Sequence, residues 1–106
     1  MEYKLVITET SKALLRKLVT YLSKELKSEQ AATHLLNEVE KINNRLKDNP
    51  FQFPLCKDAF LQSKGYHLAV VAKMNYTIIF RVEKNTVFIL GFFHTRENYE
   101  EKIEEI

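Results

Sequence analysis

The sequence predicts one α+β domain in which two helices cover one face of a mostly antiparallel sheet. Three observations predict this class: an alternating strand pattern at the start, two long helical patterns in the middle, and three strand patterns in quick succession near the end. The length of 106 residues suits one compact domain, so we expect residues 1–106 to form a single unit.

The first strand and the helical hairpin follow from hydrophobic spacing. Residues 3–8 alternate in the manner of a half-buried strand. A helix is predicted to begin near Thr10 or Ser11, because either side chain can cap its N-terminus. Its apolar stripe, at spacings of three and four, consists of Leu14, Leu15, Leu18, Tyr21, Leu22 and Leu26. A second helix with the same spacing should end near Asn49, because Pro50 disfavours helical geometry in the residue before it.

The second half of the chain predicts a connector and a three-stranded meander. Residues 51–64 lack regular periodicity, and strand patterns follow at 66–73, 76–82 and 86–93. The joints between these strands are short, so the strands should pair as antiparallel hairpins. A short amphipathic helix is predicted over residues 97–106, which completes the order β-α-α-β-β-β-α. This arrangement leaves the second face of the sheet open for a partner.

Composition excludes several classes of protein. The hydrophobic content of 45% and the charged content of 28% are typical of a soluble domain. No apolar run approaches the roughly 20 residues that span a bilayer, and the start does not resemble a signal peptide, so we expect a cytoplasmic protein without membrane contact. The single Cys56 cannot form an internal disulfide, and no residue pattern indicates a metal or another cofactor. Cys56 is therefore expected to be a buried thiol without a chemical role.

The charge is unevenly distributed. Residues 1–94 carry fourteen Lys and Arg against nine Asp and Glu, a net of +5. Residues 95–106 carry two against five, a net of −3. A basic body is attracted to nucleic acid or to an acidic partner protein, although a solvated mixed surface explains the same numbers.

The exit of the last strand carries the first candidate site. His94, Arg96 and Tyr99 bring together a proton-transfer group, a planar cation and a phenol at the point where a buried strand ends. Functional residues concentrate where the chain leaves a rigid scaffold. These three residues are the candidate catalytic group, and a structural role for His94 is the alternative.

The middle strands supply the second candidate site. Alternation places His67 and Lys73 on one face of their strand, and Arg81 on one face of the next. If those faces coincide, the three side chains form a basic platform that binds nucleic acid or a target protein. A solvated strand edge formed by Arg81 and Glu83 is the alternative. A similar argument applies to Phe92 and Phe93, which cannot both face the helices, so one of them is expected on the open side. Strand aromatics, Phe88 among them, are expected to fill the core.

Six segments resemble, in order and spacing, the RelE/ParE superfamily of bacterial toxins over nearly the whole chain. The segments are residues 3–10 (YKLVITET), Ala31-Ala32, Asn49-Pro50, residues 64–66 (KGY), residues 75–80 (NYTIIF) and residues 94–99 (HTRENY). The resemblance implies a growth-arresting toxin of a type II toxin–antitoxin module that stabilises plasmids. It also implies a cognate antitoxin that wraps around the toxin and holds it inactive.

The resemblance implies one of two mechanisms, and the RelE-like one depends on groups that are partly missing. RelE-like toxins cleave messenger RNA in the ribosome with Lys and Arg side chains on the middle strands, an Arg after the last strand and a Tyr near the C-terminus. Such chemistry needs a base, positive charge and a proton donor around one phosphate. In this chain His67 and Ala69 stand where paired lysines are expected, and Thr77 stands where an Arg is expected.

The ParE-like branch poisons DNA gyrase and commonly closes its sheet with a His-x-Arg-x-x-aromatic segment. His94, Arg96 and Tyr99 match that segment. We therefore expect a ParE-like toxin, with a RelE-like endoribonuclease of substituted catalytic set as the alternative. A superfamily member that has lost toxicity and serves as a binding module is the third reading.

Overall fold

The computed structural model describes residues 2–71 and 73–94 of the chain. In chain order, the elements are β1 (Lys4–Ile7), α1 (Glu9–Thr20), α2 (Glu29–Asp48), α3 (Ala59–Ser63), β2 (His67–Val71), β3 (Tyr76–Glu83) and β4 (Thr86–His94). A π-helical turn, Tyr21–Glu25, extends α1, and a 3-10 turn, Pro50–Gln52, follows α2. The α+β class and the order of strand, hairpin and meander are confirmed. The helix predicted over residues 97–106 lies outside the described residues.

The four strands form one sheet in the order β1-β4-β3-β2. Strands β2, β3 and β4 pair antiparallel, as the short joints predicted. Strand β1 pairs parallel with β4, with Ile7 opposite Ile89. A parallel pair needs a long crossover, and the helical hairpin of α1 and α2 lies within that crossover. The hairpin is thereby held on one face of the sheet, which we call the helix-side face.

A β-bulge in β4 controls which side chains reach which face. Ile79 pairs with Gly91 and Phe80 with Ile89, so Leu90 is the extra residue. A bulge shifts the alternation of its strand by one step. Before the bulge, the odd-numbered residues of β4, such as Ile89, point to the helix-side face. After the bulge, the even-numbered residues point to that face.

The bulge explains the positions of the paired phenylalanines at the end of β4. Phe92 packs in the core beneath the helices, and Phe93 packs on the other face of the sheet. The prediction that they face opposite ways is confirmed. Phe93 is nevertheless buried, and its ring occupies the space that a Cβ at Gly91 would need. A glycine at that position therefore lets an aromatic ring lie flat on the strand.

The start of α1 lies two to three residues earlier than predicted. Thr8 is the N-cap, and its hydroxyl oxygen accepts from the Ser11 backbone N–H at 3.2 Å. Ser11, itself predicted as a possible cap, is fully buried, and its hydroxyl donates to the Ile89 carbonyl at 2.8 Å. The helix begins immediately after β1 because these hydroxyls bind its first turn to β4.

The helix-side core is built from the apolar stripes of both helices and from alternate residues of all four strands. The buried members that dominate it are Leu22, Leu35, Val39, Ile42, Leu46, Ala69, Val71, Ile78, Phe80, Val87, Ile89 and Phe92. Two residues of the predicted α1 stripe, Tyr21 and Leu26, are instead 48% and 54% exposed. The π-helical turn that holds Tyr21 changes the helical register at this point, so regular spacing no longer applies.

The second face of the sheet is only partly open, because the connector folds over part of it. A second buried cluster there contains Cys56, Leu61, Tyr66, Ile79, Leu90 and Phe93. Residues 54–56 also pair beside β2: the Cys56 N–H donates to the Tyr66 carbonyl at 2.9 Å, and the Leu68 N–H donates to the Pro54 carbonyl at 3.0 Å. Burial is the main reason that the pKa of the Cys56 thiol is raised to about 11, with Asp58 adding to the shift.

No helix within the described ranges is long and apolar enough to cross a membrane.

Candidate functional site

His94 is the last residue of β4, which extends one residue beyond the strand predicted over residues 86–93. It pairs with Tyr76 at the start of β3, and the two rings meet edge to face with centroids 5.6 Å apart. Tyr76 is a buried member of the helix-side core, so His94 lies at the rim of that core and is half-buried. Arg96 and Tyr99 lie outside the described residues. Their part in a site with His94 therefore stays a prediction.

His67 lies at the edge of the helix-side core, at the end opposite to His94. Its ring stacks on Phe80 with centroids 5.2 Å apart and an interplanar angle of 13°, and Phe51 meets it edge-on at 5.9 Å. Its Nδ1 lies 3.0 Å from the Phe53 carbonyl oxygen. A carbonyl can only accept, so Nδ1 carries a proton in this contact. This hydrogen bond and the two ring contacts together hold the imidazole in its orientation.

Arg81 lies on the face opposite to His67. It pairs with Phe88 on β4, and its guanidinium carbon is 4.2 Å from the centre of that ring. Its Nη1 donates to Glu83 Oε2 at 2.7 Å, and this hydrogen bond is the main cause that lowers the pKa of the Glu83 carboxyl. Phe88 is half-buried beneath the guanidinium and packs against the second buried cluster, so its ring lies at the edge of the core.

The basic platform predicted from the middle strands does not form. His67 pairs with Phe80, and Arg81 is the next residue along β3, so alternation places the two on opposite faces. Lys73 lies in the turn between β2 and β3, is exposed and has a φ of 67°. The two faces do not coincide because register depends on turn geometry, which the alternation within each strand leaves undetermined.

The positions that RNA cleavage would require are likewise divided. Ala69 is 1% exposed in the helix-side core and pairs with Ile78. Thr77, 3% exposed, is therefore directed to the other face. The side chains at positions 67 and 69 and the side chain at 77 cannot meet around one phosphate in this arrangement.

Sequence reasoning missed the aromatic cluster that surrounds His67. Phe51 is 58% exposed and also meets Tyr3 edge-on at 6.1 Å, while Arg45 lies 4.6 Å over the ring of Phe53. The contacts of Phe51 with Tyr3 and of Phe53 with Arg45 depend on the turn after Pro50, which carries no periodic signal.

Two open clefts along α2 are lined by polar and charged residues, and neither contains a predicted site residue. Within residues 2–71 and 73–94, no group of three or more His, Cys, Asp or Glu is placed to hold a metal ion.

Solved structures share this fold. The chromosomal ParDE toxin–antitoxin system from P. aeruginosa superposes with a TM-score of 0.71 at 14% identity, covering 90% of this chain and 98% of that one. A mutant of the E. coli toxin RelE in the free state gives 0.67 at 14% identity, covering 97% and 94%. The RelBE2 toxin–antitoxin complex from Mycobacterium tuberculosis gives 0.58 at 22% identity, covering 89% and 99%. At these identities the likeness concerns the fold.

Sequence comparison identifies the family more directly. No curated protein sequence gives a significant match to the chain. The family model of the ParE toxin of type II toxin–antitoxin systems, parDE, matches residues 5–99. That range covers most of the chain and includes both candidate groups, from His67 to Tyr99. The chain therefore belongs to the ParE toxin family of type II toxin–antitoxin systems.

Proposed function

We propose that this chain arrests bacterial growth by binding DNA gyrase, without cleaving RNA, and that a cognate antitoxin neutralises it. Family membership supports the toxin and its antitoxin partner. The observation that favours gyrase over RNA is the division of the middle-strand positions between two faces, with Ala69 and Thr77 both buried. Ribonuclease chemistry needs its base, cation and acid around one phosphate.

The contact with the target is assigned to the exit of β4. His94 stands at the rim of the core, and Arg96 and Tyr99 follow within five residues. An Arg at this place presents a planar head with several donors, which Lys cannot reproduce. Arg81 and Lys73 are further candidates for target contact, each on its own part of the surface. His67 is better explained as a structural residue, because three aromatic or carbonyl partners hold its ring.

A RelE-like ribonuclease is the second candidate. It is favoured by the same closing segment, because His94, Arg96 and Tyr99 can supply a base, a cation and a proton donor even though the middle strands do not. In that case the closing segment alone has to perform the chemistry.

Induction of the chain without its antitoxin separates the two candidates. We expect growth arrest with DNA damage signalling and trapped gyrase cleavage complexes, and intact messenger RNA by primer extension. If Arg96 acts on the target and not in the core, Arg96→Ala should abolish arrest while changing stability by no more than about ±0.5 kcal/mol. Arg16→Ala, an exposed arginine on α1, is the matched control and should still arrest growth.

Two results would overturn this proposal. Cuts inside translated messages that disappear in Tyr99→Phe would assign the RelE-like chemistry. Normal growth at strong induction, with folded protein confirmed, would assign a binding module without toxicity.

A further inference from the structure

The two edges of the sheet differ in what covers them. The connector covers the outer edge of β2, because residues 54–56 pair with that strand at Tyr66 and Leu68. Strand β1 forms the other edge, and no described strand pairs with its outer side. An edge strand presents a row of backbone N–H and C=O groups that can pair with another chain. We call the outer side of β1 the β1 edge.

The parallel register with β4 decides which backbone groups of β1 point outwards. The N–H groups of Lys4 and Thr8 donate to carbonyl oxygens of β4 and of the turn before it, so the even-numbered residues of β1 bind β4. Because the bonding direction alternates along a strand, the N–H and C=O groups of Leu5 and Ile7 point away from β4. Among the described residues, neither of these two N–H groups donates a hydrogen bond.

The side chains on both faces of β1 are incompletely covered. Val6 is 41% exposed on the second face, where it lies opposite the half-buried Phe88. Leu5 and Ile7 are half-buried at the border of the helix-side core. Lys4 is the charged residue of the strand. A strand added to the β1 edge would therefore bury apolar surface on both faces and also pair the free backbone groups.

We propose that the β1 edge pairs antiparallel with the same edge of a second copy of this chain, which joins two four-stranded sheets into one. Two identical strands pair about a two-fold axis, so both copies use the same surface. With the axis at Val6, Leu5 lies opposite Ile7 of the second copy. Each such pair exchanges two N–H···O=C bonds, so the two symmetry-related pairs use all the free N–H groups of the edge.

Charge and apolar contact select this register. With the axis at Val6, the two Val6 side chains form a pair without hydrogen bonds between them, in which side chains lie closest. Lys4 then lies opposite Thr8 of the second copy. With the axis at Leu5, each Lys4 would lie opposite Val6 of the other copy, and the two lysines would become diagonal neighbours. That alternative loses the apolar pair and brings like charges together.

Both ends of the β1 edge limit the pairing. The Tyr3 N–H donates to the Lys47 carbonyl at 2.8 Å, and α1 begins at Glu9. The paired segment is therefore confined to residues 4–8. An interface built on so short a segment belongs to the small and weak class, so we expect a dimer that dissociates in the micromolar range.

Sedimentation velocity of the purified chain without antitoxin, from low to high micromolar concentration, tests the proposal. We expect a shift from monomer to dimer as the concentration rises. Val6→Lys places two like charges directly opposite each other at the axis, so it should raise the dimer Kd by about tenfold or more. Val70→Lys, at a valine that is 56% exposed on the other edge strand, is the matched control and should leave the Kd within about twofold. Thermal unfolding shows that both variants are folded.

Hydrogen exchange of the wild type tests the backbone pairing without any substitution. The Leu5 and Ile7 amides should exchange more slowly at high than at low protein concentration, because they are hydrogen-bonded only in the dimer. The Val6 amide points towards β4 in both states, so its exchange should not depend on concentration, and it serves as the internal control.

Three results would overturn the proposal: a chain that stays monomeric over the whole range, an equal rise in the dimer Kd for Val70→Lys, or exchange of the Leu5 and Ile7 amides that does not depend on concentration. Protection of these amides only after antitoxin is added would assign the β1 edge to the antitoxin. Neither measurement contains gyrase or a ribosome, so the result is independent of which target the toxin attacks.

Discussion

Both faces of the sheet carry a buried cluster, but the two clusters are covered by different means. Two long helices cover the helix-side face, and the short helix α3 with its flanking connector covers part of the other. The long helices can be predicted from the spacing of their apolar residues. A five-residue helix has too few turns to show such a spacing. The comparison teaches that the absence of a periodic pattern does not leave a sheet face uncovered.

The same division separates the candidate site residues. His67 and His94 lie on the helix-side face, at opposite ends of its core, while Arg81 lies on the second face above Phe88. Residues that alternation suggested as one platform belong to two surfaces. A target or an antitoxin that contacts Arg81 therefore cannot use the same contact area to reach His67.

The largest change in the free energy of unfolding is expected from a substitution in the helix-side core. Phe80 is fully buried, so Phe80→Ala should lower the free energy of unfolding by about 3–5 kcal/mol. Phe88→Ala, which removes a half-buried ring from the second face, should lower it by less, about 1–2 kcal/mol. Urea denaturation of both variants measures the difference. Equal losses would show that Phe88 belongs to the core and not to its edge.

The cover of the second face is tested by a matched pair of leucines. Leu61 on α3 is 1% exposed and Leu35 on α2 is 0% exposed. If both clusters are true cores, Leu61→Ala and Leu35→Ala should each cost about 2–5 kcal/mol. A loss below about 1 kcal/mol for Leu61→Ala alone, in the same denaturation measurement, would mean that α3 contributes little to the fold.

The Cys56 thiol, which lies beneath the connector, should make a smaller and pH-dependent contribution to the stability of the fold. The folded pKa of Cys56 is about 11, above its ordinary value of 9.0, so folding favours the protonated thiol. The stability it contributes is complete below pH 9 and is lost as the pH rises towards 11. Cys56→Ala should lose less stability over this window than the wild type. In the native wild type, a thiol reagent near pH 8 should react far more slowly than it does in denaturant.

The smallest effect on stability is expected at the Arg81–Glu83 pair on the second face. Arg81→Ala should lower stability only slightly, because a pair with a largely exposed carboxylate contributes little and the contact of the guanidinium with Phe88 adds about 0.5–1 kcal/mol. It should, however, return the pKa of Glu83 towards its ordinary value of 4.5, from which the hydrogen bond and charge of Arg81 lower it. Stabilisation by this pair is present above the unfolded pKa of Glu83 and is lost as the pH falls through the lowered one. An NMR titration of the Glu83 carboxyl that shows no change would contradict the contact.

The sequence proposes members for the candidate site, and these stay a prediction, but it does not give their geometry. The position of His94 at the end of β4 was predictable, because an apolar strand run stops there. The partners of His67 were not, since Phe80 and Phe53 come from a register and a turn that local pattern does not encode. The exposure of Tyr21 and Leu26 was also missed, because regular helical spacing assumes that no π turn occurs.

The sequence by itself determined the class of fold, the hairpin, the antiparallel meander and the family, because these depend on local periodicity, short joints and the order of motifs. Tertiary structure decided three further features: the parallel pairing of β1 with β4, the bulge at Leu90 and the cover over the second face. Each of these depends on contacts between residues distant in the chain. A one-residue shift in such contacts moves a side chain to the other face, so it also decides which residues can act together.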